Sequence, residues 1–155
     1  MTDIYEEAKS KALKYLAFKA RTYKEVEQKL KEKGYGEITI EDVMAFLEEY
    51  KYVNDAQYAL SFIKYAVNNK NHGKKRISYD LQNRGVSSRI IANAFLEFEE
   101  NTSHDYQENI AFLIEKKLKG EADIDLKQKK RLFDYLARRG FSYDDINSAM
   151  KKIIP

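Results

Sequence analysis

The sequence has 155 residues, of which 43% are hydrophobic and 34% are charged, and its formal net charge is +3. The absence of cysteine excludes disulfides and cysteine-based zinc sites and favours a reducing compartment. No apolar run approaches the roughly 20 residues of a membrane span, and the start MTDIYEEAKSK lacks the apolar core of a signal peptide. With one proline, at the last position, little interrupts helices. We therefore expect an all-α, cytoplasmic protein that does not contact a membrane.

Three long helices are predicted from apolar positions that recur with helical spacing. The first covers residues 4–21, with a buried face of Ala8, Ala12, Leu13, Tyr15 and Leu16. The second covers residues 54–70, with a buried face of Ala59, Phe62, Ile63 and Ala66. The third covers residues 104–120, with a buried face of Ile110, Leu113, Ile114 and Leu118. Each of the three precedes a shorter pair of predicted helices.

A short pattern that ends a helix occurs three times, as LKEKGY (30–35), LQNRGV (81–86) and LARRGF (136–141). Glycine adopts the left-handed conformation at little cost, so each glycine is predicted to be the first residue beyond a helix end. The apolar residues on either side, such as Leu136 and Phe141 around Gly140, occupy the positions whose contact accompanies a Schellman helix stop. The pattern predicts the same helix terminator at Gly34, Gly85 and Gly140.

Another helix is predicted to begin just after each terminator. Ser142 is the predicted N-cap of the last helix, with Asp145 three residues later and Phe141 packing on Ile146. In the second copy the cap and the apolar contact are supplied by Val86, Ser87 and Ile91. In the first copy, after three extra residues, they are supplied by Ile38, Thr39, Asp42 and Val43.

These elements predict nine helices in three groups of three, repeated about every 50 residues, which is typical of a helical repeat protein. The predicted repeats are residues 1–53, 54–103 and 104–155 of an extended array. Two polar joints, residues 68–73 and 119–126, are where neighbouring repeats could bend. We expect the chain to be a monomer.

At this point the sequence resembles the RecX family, over roughly residues 5–153. The segment YVNDAQYA matches the family's aromatic–aliphatic pair, two Asp/Asn residues and an aromatic followed by alanine, in Tyr52, Val53, Asn54, Asp55, Tyr58 and Ala59. The family's closing pattern of a basic residue, glycine, an aromatic and serine matches Arg139, Gly140, Phe141 and Ser142.

The resemblance implies a nonenzymatic regulator of the RecA recombinase. RecX-like proteins bind the RecA filament on single-stranded DNA, lie in its helical groove and inhibit ATP hydrolysis and strand exchange. They thereby damp recombination and the SOS response, and some bind DNA directly. This chain differs from the family in its N-terminal third, which is not basic, because residues 1–52 carry 10 Lys/Arg against 11 Asp/Glu. That part is therefore a poor candidate for contacting DNA phosphates.

The positive charge is concentrated in the second and third predicted repeats, at the middle helix of each group of three and at the turn that follows it in the chain. Several cations along one line suit phosphate contacts, and arginine also forms bidentate pairs with carboxylates. The candidate partner- or DNA-binding residues are Lys74, Lys75, Arg76, Arg84, Arg89, Lys127, Lys129, Lys130, Arg131, Arg138 and Arg139. Arg84, Arg138 and Arg139 are equally explained by a favourable interaction with a helix C-terminus. The runs at 74–76 and 127–131 oppose the dipole at the start of their own helices, so this explanation fails for them.

Catalytic chemistry is not indicated by any motif. The sequence has no glycine-rich phosphate loop, no cysteine nucleophile and no His-Glu metal motif, so we expect no enzyme activity, metal or cofactor. His72 and His104 are far apart in polar joints and are not predicted ligands or catalysts. Tyr15, Tyr58, Tyr65 and Tyr135 have core spacing, whereas Tyr79 and Tyr143 adjoin basic residues and are the better candidates for base stacking.

Two alternatives to a RecA regulator stay open at this stage. Two helices around a glycine-containing turn also resemble a helix-turn-helix DNA reader, although SYDDIN is a poor start for a recognition helix. A scaffold that binds only protein is the other alternative, and its binding would depend little on salt.

Overall fold

The computed structural model describes residues 3–121 and 123–154, and in this part of the chain all regular structure is helical. The nine helices are α1 (Ile4–Phe18), α2 (Tyr23–Glu32), α3 (Glu37–Glu49), α4 (Asp55–Lys70), α5 (Lys74–Asn83), α6 (Ser88–Thr102), α7 (Tyr106–Leu118), α8 (Leu126–Arg138) and α9 (Tyr143–Ile153). None of these helices combines the length and apolar character that crossing a bilayer requires. The three long predicted helices correspond to α1, α4 and α7, of which α1 ends three residues earlier than predicted.

The three predicted helix terminators are confirmed. Gly34, Gly85 and Gly140 have left-handed φ angles of 89°, 87° and 97°. At the third of these turns the Gly140 amide donates to the Ala137 carbonyl (3.0 Å), and the Phe141 amide donates to the Leu136 carbonyl (3.4 Å). The same pair of hydrogen bonds closes the other two turns. These bonds satisfy carbonyls that a helix end leaves without a partner.

The helix that follows each terminator begins three residues after the glycine, so that its N-cap position lies two residues after the glycine. The Ser142 hydroxyl accepts from the Asp145 amide (3.2 Å), and the Ser87 hydroxyl accepts from the Ile90 amide (3.3 Å), so these two predicted caps are confirmed. The prediction that Thr39 caps the first copy is wrong. Gly36 is the N-cap of α3, which begins at Glu37, so Thr39 lies inside the helix.

Two apolar cores hold the first and last groups of helices. The first is built from Ala8, Ala12, Val26, Leu30, Ile40, Val43, Met44, Leu47 and Val53. The second is built from Ile110, Leu113, Ile114, Ile124, Leu132, Leu136, Phe141, Ile146, Ala149 and Ile154. Of the residues predicted to be buried, Leu13, Tyr15, Leu16, Phe62 and Leu118 are only half-buried, and Tyr58 and Tyr135 are half-buried too. Tyr65 is 58% exposed, so its predicted core position is wrong.

The chain forms two compact units. Unit 1 comprises residues 1–60 and 81–94, and unit 2 comprises residues 61–80 and 95–155. The helices α4, α5 and α6 each contribute to both units. The predicted repeat limits at Met1 and Pro155, and Ala122 in the second predicted joint, lie outside the described residues.

In unit 2 the terminator turn of α8 packs against the start of α5 through backbone hydrogen bonds. The Gly73 amide donates to the Arg139 carbonyl (2.8 Å), and the Lys75 amide donates to the Gly140 carbonyl (3.1 Å). A helix start has amides without intrahelical partners and a helix end has carbonyls without them, so each end satisfies the other. A Cβ atom on Gly140 would lie 2.3 Å from the Arg76 nitrogen, so the contact has no room for a side chain.

Unit 1 contains a related contact between the terminator turn of α5 and the start of α2. The Thr22 hydroxyl donates to the Arg84 carbonyl (2.6 Å) while also capping α2 by accepting from the Glu25 amide (3.1 Å). A Cβ atom on Gly85 would lie 2.4 Å from the Lys24 Cβ. The middle helices of the three groups are α2, α5 and α8. In both units the turn after one middle helix therefore packs on the start of the middle helix that precedes it in the chain.

Gly140→Ala is expected to destabilise the protein much more than Gly34→Ala. Both substitutions place a side chain at a left-handed φ, which costs about 1–2 kcal/mol. Only Gly140 also faces a packed neighbour, whereas no atom lies within 4 Å of the position of a Cβ on Gly34. We expect a free energy of unfolding lower by about 1 kcal/mol for Gly34→Ala and by about 3 kcal/mol or more for Gly140→Ala, measured by urea denaturation. Equal losses would contradict the packed turn.

Candidate functional site

The YVNDAQYA segment has a structural role in unit 1. The Asn54 side chain accepts from the Gln57 amide (3.1 Å) at the start of α4, and Asp55 accepts from the Tyr23 amide (2.8 Å) at the start of α2. The Tyr58 hydroxyl accepts from the Arg84 guanidinium (2.8 Å). Burial raises the pKa of the Asp55 carboxyl, against the effect of the Tyr23 amide. The segment thus joins the starts of two helices to the end of α5.

The basic run at the start of α5 lies beside the turn that ends α8, in unit 2. The side chains of Lys74, Lys75 and Arg76 are all exposed. Lys74 forms an ion pair with Glu99 (3.3 Å), and Arg76 forms one with Asp80 (3.2 Å) within its own helix. These pairs are partly exposed and therefore weak, so the run stays accessible to an anionic partner.

The cations of α8 divide between two sides of the helix. Lys127, Lys130, Arg131 and Arg138 are spaced three, four and seven residues apart, are exposed, and share one face, which we call the α8 basic stripe. The stripe spans about 16 Å along the helix axis. None of its members takes part in an ion pair with any residue that the structure describes. Lys129 is half-buried and lies on the opposite side.

The carboxylate of Asp125 offsets the cations at the start of α8. It accepts from the Gln128 amide (2.8 Å), and the Gln128 side chain accepts from the Asp125 amide (2.9 Å), which completes a capping box. Asp134 is the acidic residue on the same face as the stripe.

Three predicted site residues have different environments. Arg89 is exposed near the start of α6 in unit 1. Arg84 is half-buried, and its hydrogen bond to Tyr58 gives it a role in the fold of unit 1. Arg139 is half-buried and donates to the Lys70 carbonyl at the end of α4 in unit 2. Arg84 and Arg139 therefore each have a hydrogen-bond partner within the fold, the Tyr58 hydroxyl for Arg84 and the last carbonyl of α4 for Arg139.

Unit 2 carries all of the net positive charge. It has 16 Lys/Arg against 13 Asp/Glu, whereas unit 1 has 12 of each. Every candidate residue except Arg84 and Arg89 belongs to unit 2.

A second cationic group in unit 2 was missed by sequence reasoning. A pocket of about 550 Å³ is lined by Asn69, Lys70, Asn71, His72, Phe112, Leu113, Lys116, Lys117, Tyr135 and Arg139. Lysines near the ends of α4 and α7 were the available signal, but nothing in their spacing shows that the two helix ends meet. Burial, followed by the Arg76 and Arg139 charges, lowers the pKa of the His72 imidazole.

The aromatic and histidine predictions have mixed outcomes. Tyr79 and Tyr143 are exposed, and Tyr143 packs edge-on against Phe133 at 4.9 Å between ring centres. His104 lies 2.6 Å from the Asn109 side-chain oxygen, which gives it a structural partner. The described residues contain no cluster of three or more potential metal ligands.

The three groups of helices match known domains. Family models described as the first, second and third three-helix domains of RecX match residues 8–47, 54–94 and 104–150. A protein of Clostridium acetobutylicum named "Regulatory protein RecX" is 36% identical over 97% of this chain and 71% of its own length. The chain belongs to the RecX family. RecX proteins are regulators rather than enzymes, which confirms the prediction of a nonenzymatic protein.

Other RecX proteins agree in sequence and in fold. "Regulatory protein RecX" of Bacillus mycoides is 32% identical over 96% of this chain, which spans only 54% of the Bacillus protein. The crystal structure of RecX from Lactobacillus salivarius superposes with a TM-score of 0.85 at 26% identity and covers 96% of both chains. The tandem three-helix domains predicted from the terminators are confirmed.

His72 is expected to reduce stability as the pH falls below neutrality. The pKa of His72 is below 6.5 in the folded protein. Between that lowered value and 6.5 the unfolded chain binds more protons, so acidification through 6.5 favours unfolding. His72→Gln should remove this component, visible as a smaller loss of stability from pH 7 to pH 5 in thermal melts than in the unsubstituted protein. Identical pH profiles would contradict the assigned environment.

Proposed function

We propose that this RecX protein binds the RecA filament on single-stranded DNA and inhibits RecA ATP hydrolysis and strand exchange. Membership of the RecX family carries this proposal, because the RecX-like proteins that the sequence resembles act on that filament. Such inhibition would damp recombination and the SOS response.

The charges of unit 2 support a contact between its basic surface and the filament. A nucleoprotein filament offers both phosphates and acidic side chains, and exposed arginines and lysines can bind either. The α8 basic stripe suits this role best, because its cations are exposed and not committed to ion pairs among the described residues. Lys74, Lys75 and Arg76 extend the contact around the start of α5. Arg84 and Arg139 are half-buried and bonded within the fold, and Lys129 and Arg89 lie outside the stripe.

The first turn of α9 weighs against the helix-turn-helix alternative. It contains the acidic residues Asp144 and Asp145, whose charges suit a helix N-terminus but repel DNA phosphates. A DNA reader of this type needs base-contacting side chains at that end of its recognition helix.

A triple substitution tests the α8 basic stripe. Lys127→Gln, Lys130→Gln and Arg131→Gln together should raise the concentration needed to inhibit the RecA ATPase on single-stranded DNA about tenfold. This estimate takes about 0.5 kcal/mol for each exposed charge contact. The matched control is Lys14→Gln, Lys19→Gln and Lys33→Gln, which removes the same charge from exposed lysines of unit 1.

The unsubstituted protein should inhibit hydrolysis when it is substoichiometric to RecA, and the control variant should do so equally well. Undiminished hydrolysis across the titration would contradict the proposed function. Equal inhibition by both triple variants would place the filament contact away from the stripe.

A further inference from the structure

We propose that the pocket between the ends of α4, α7 and α8 binds one nucleotide of single-stranded nucleic acid, with the phosphate on its cations and the base on Phe112. The proposal deepens the proposed function, because a filament-bound regulator meets single-stranded DNA. It concerns residues that, apart from Arg139, are not among the sequence-predicted site residues.

The lining of the pocket is cationic. Lys70, Lys116, Lys117 and Arg139 contribute four positive charges, and no carboxylate is among the ten lining residues. None of the four forms an ion pair within residues 3–121 and 123–154. Asp80 is the acidic residue that acts on the neighbouring His72, where the Arg76 and Arg139 charges oppose it. Four like charges around one cavity repel one another, so an anion between them relieves an unfavourable interaction.

The arginine of the pocket is held in place with one nitrogen unused. Its guanidinium donates to the Lys70 carbonyl, which fixes the group at the end of α4. Its Nε atom is buried and has no hydrogen-bond partner among the described residues. Leaving a buried donor unpaired costs about 1–3 kcal/mol, which a phosphate oxygen that reaches it would recover.

Aromatic side chains complete the chemistry of a nucleotide site. The Lys117 ammonium lies 4.3 Å from the centre of the Tyr135 ring, and the Arg139 guanidinium carbon lies 5.6 Å from it, so this ring holds the cations. Phe112 lines the same pocket and is 53% exposed, so its ring face is available to a base. Cations beside an exposed aromatic ring are the combination that sequence-independent single-strand binders use.

A competing explanation is that these cations only complement helix ends. Lys70, Lys116 and Lys117 lie in the last turns of α4 and α7, where a positive charge interacts favourably with the helix dipole. That role affects stability alone, whereas a nucleotide site also affects binding and its dependence on salt.

The test is the binding of the full chain to a fluorescent oligothymidylate of about 12 nucleotides, without RecA, between about 50 and 200 mM NaCl. Lys116→Gln with Lys117→Gln should weaken binding about 20-fold near 100 mM salt and lower the log–log salt slope by about 1.4, as expected for two lost phosphate contacts on a single strand. The matched control is Lys151→Gln with Lys152→Gln, which removes two lysines from the last turn of α9 outside the pocket.

Phe112→Ala should weaken binding about tenfold without changing the salt slope, because it removes stacking and not charge. Leu96→Ala, an equally exposed apolar residue of unit 2, is its control and should change binding less than about twofold. Thermal melts of all four variants separate lost binding from lost stability.

Unchanged affinity and salt slope for Lys116→Gln with Lys117→Gln would overturn the pocket assignment. A loss of thermal stability in that variant without a loss of binding would overturn it too. If the chain bound a polyglutamate peptide more tightly than the oligothymidylate, and that binding depended on Lys116 and Lys117, the result would overturn the assignment in favour of an acidic protein partner. RecA inhibition by the unsubstituted chain is measured separately from oligothymidylate binding. The pocket proposal can therefore be wrong while the proposed function is right, and the proposed function can be wrong while the pocket proposal is right.

Discussion

The packing of a glycine-terminated helix end on the start of another helix is the contact on which the arrangement of this RecX chain depends. In unit 2 two amides before and within α5 donate to the carbonyls of Arg139 and Gly140. Both ends would otherwise have to satisfy these groups with water. Because backbone atoms make the contact, glycine is required at Gly140 twice over, for its left-handed φ and for the space that a Cβ would fill.

This contact also determines what the basic residues can do. A free helix N-terminus binds anions through its amides, but at α5 two of these groups already bind carbonyl oxygens. The side chains of Lys74, Lys75 and Arg76 are exposed beside these bonded amides. Arg139 lies in the same turn, and its guanidinium extends towards the end of α4. One turn thus positions cations of both the α5 run and the pocket.

The sequence predicted the helix terminators, the tandem three-helix domains and the family because these depend on local rules. A left-handed glycine between two apolar residues encodes its own hydrogen bonds, as at Leu136, Gly140 and Phe141. The cap of the first repeat was predicted wrongly, because Gly36 is the N-cap of α3 and a side-chain cap was expected at Thr39. Helix spacing did not resolve Tyr65 either, since an aromatic on the edge of a helix face can turn outward.

The candidate site was harder to predict than the fold. Residue types identified the cations, but only coordinates separate the exposed Lys130 from the half-buried Lys129, or show that Arg84 bonds to Tyr58. The pocket depends on three helix ends that are distant in sequence, so no spacing pattern reveals it. Long-range packing therefore decides which of many cations are available for binding.

Native-state hydrogen exchange at the starts of the helices tests the central contact most directly. The amides of Gly73 and Lys75 should exchange slowly, because each donates to a carbonyl of the turn after α8. The amide of Ile38, in the first turn of α3, should exchange fast, since the Gly36 cap supplies no side-chain acceptor. Exchange at Gly73 and Lys75 as fast as at Ile38 would contradict the account.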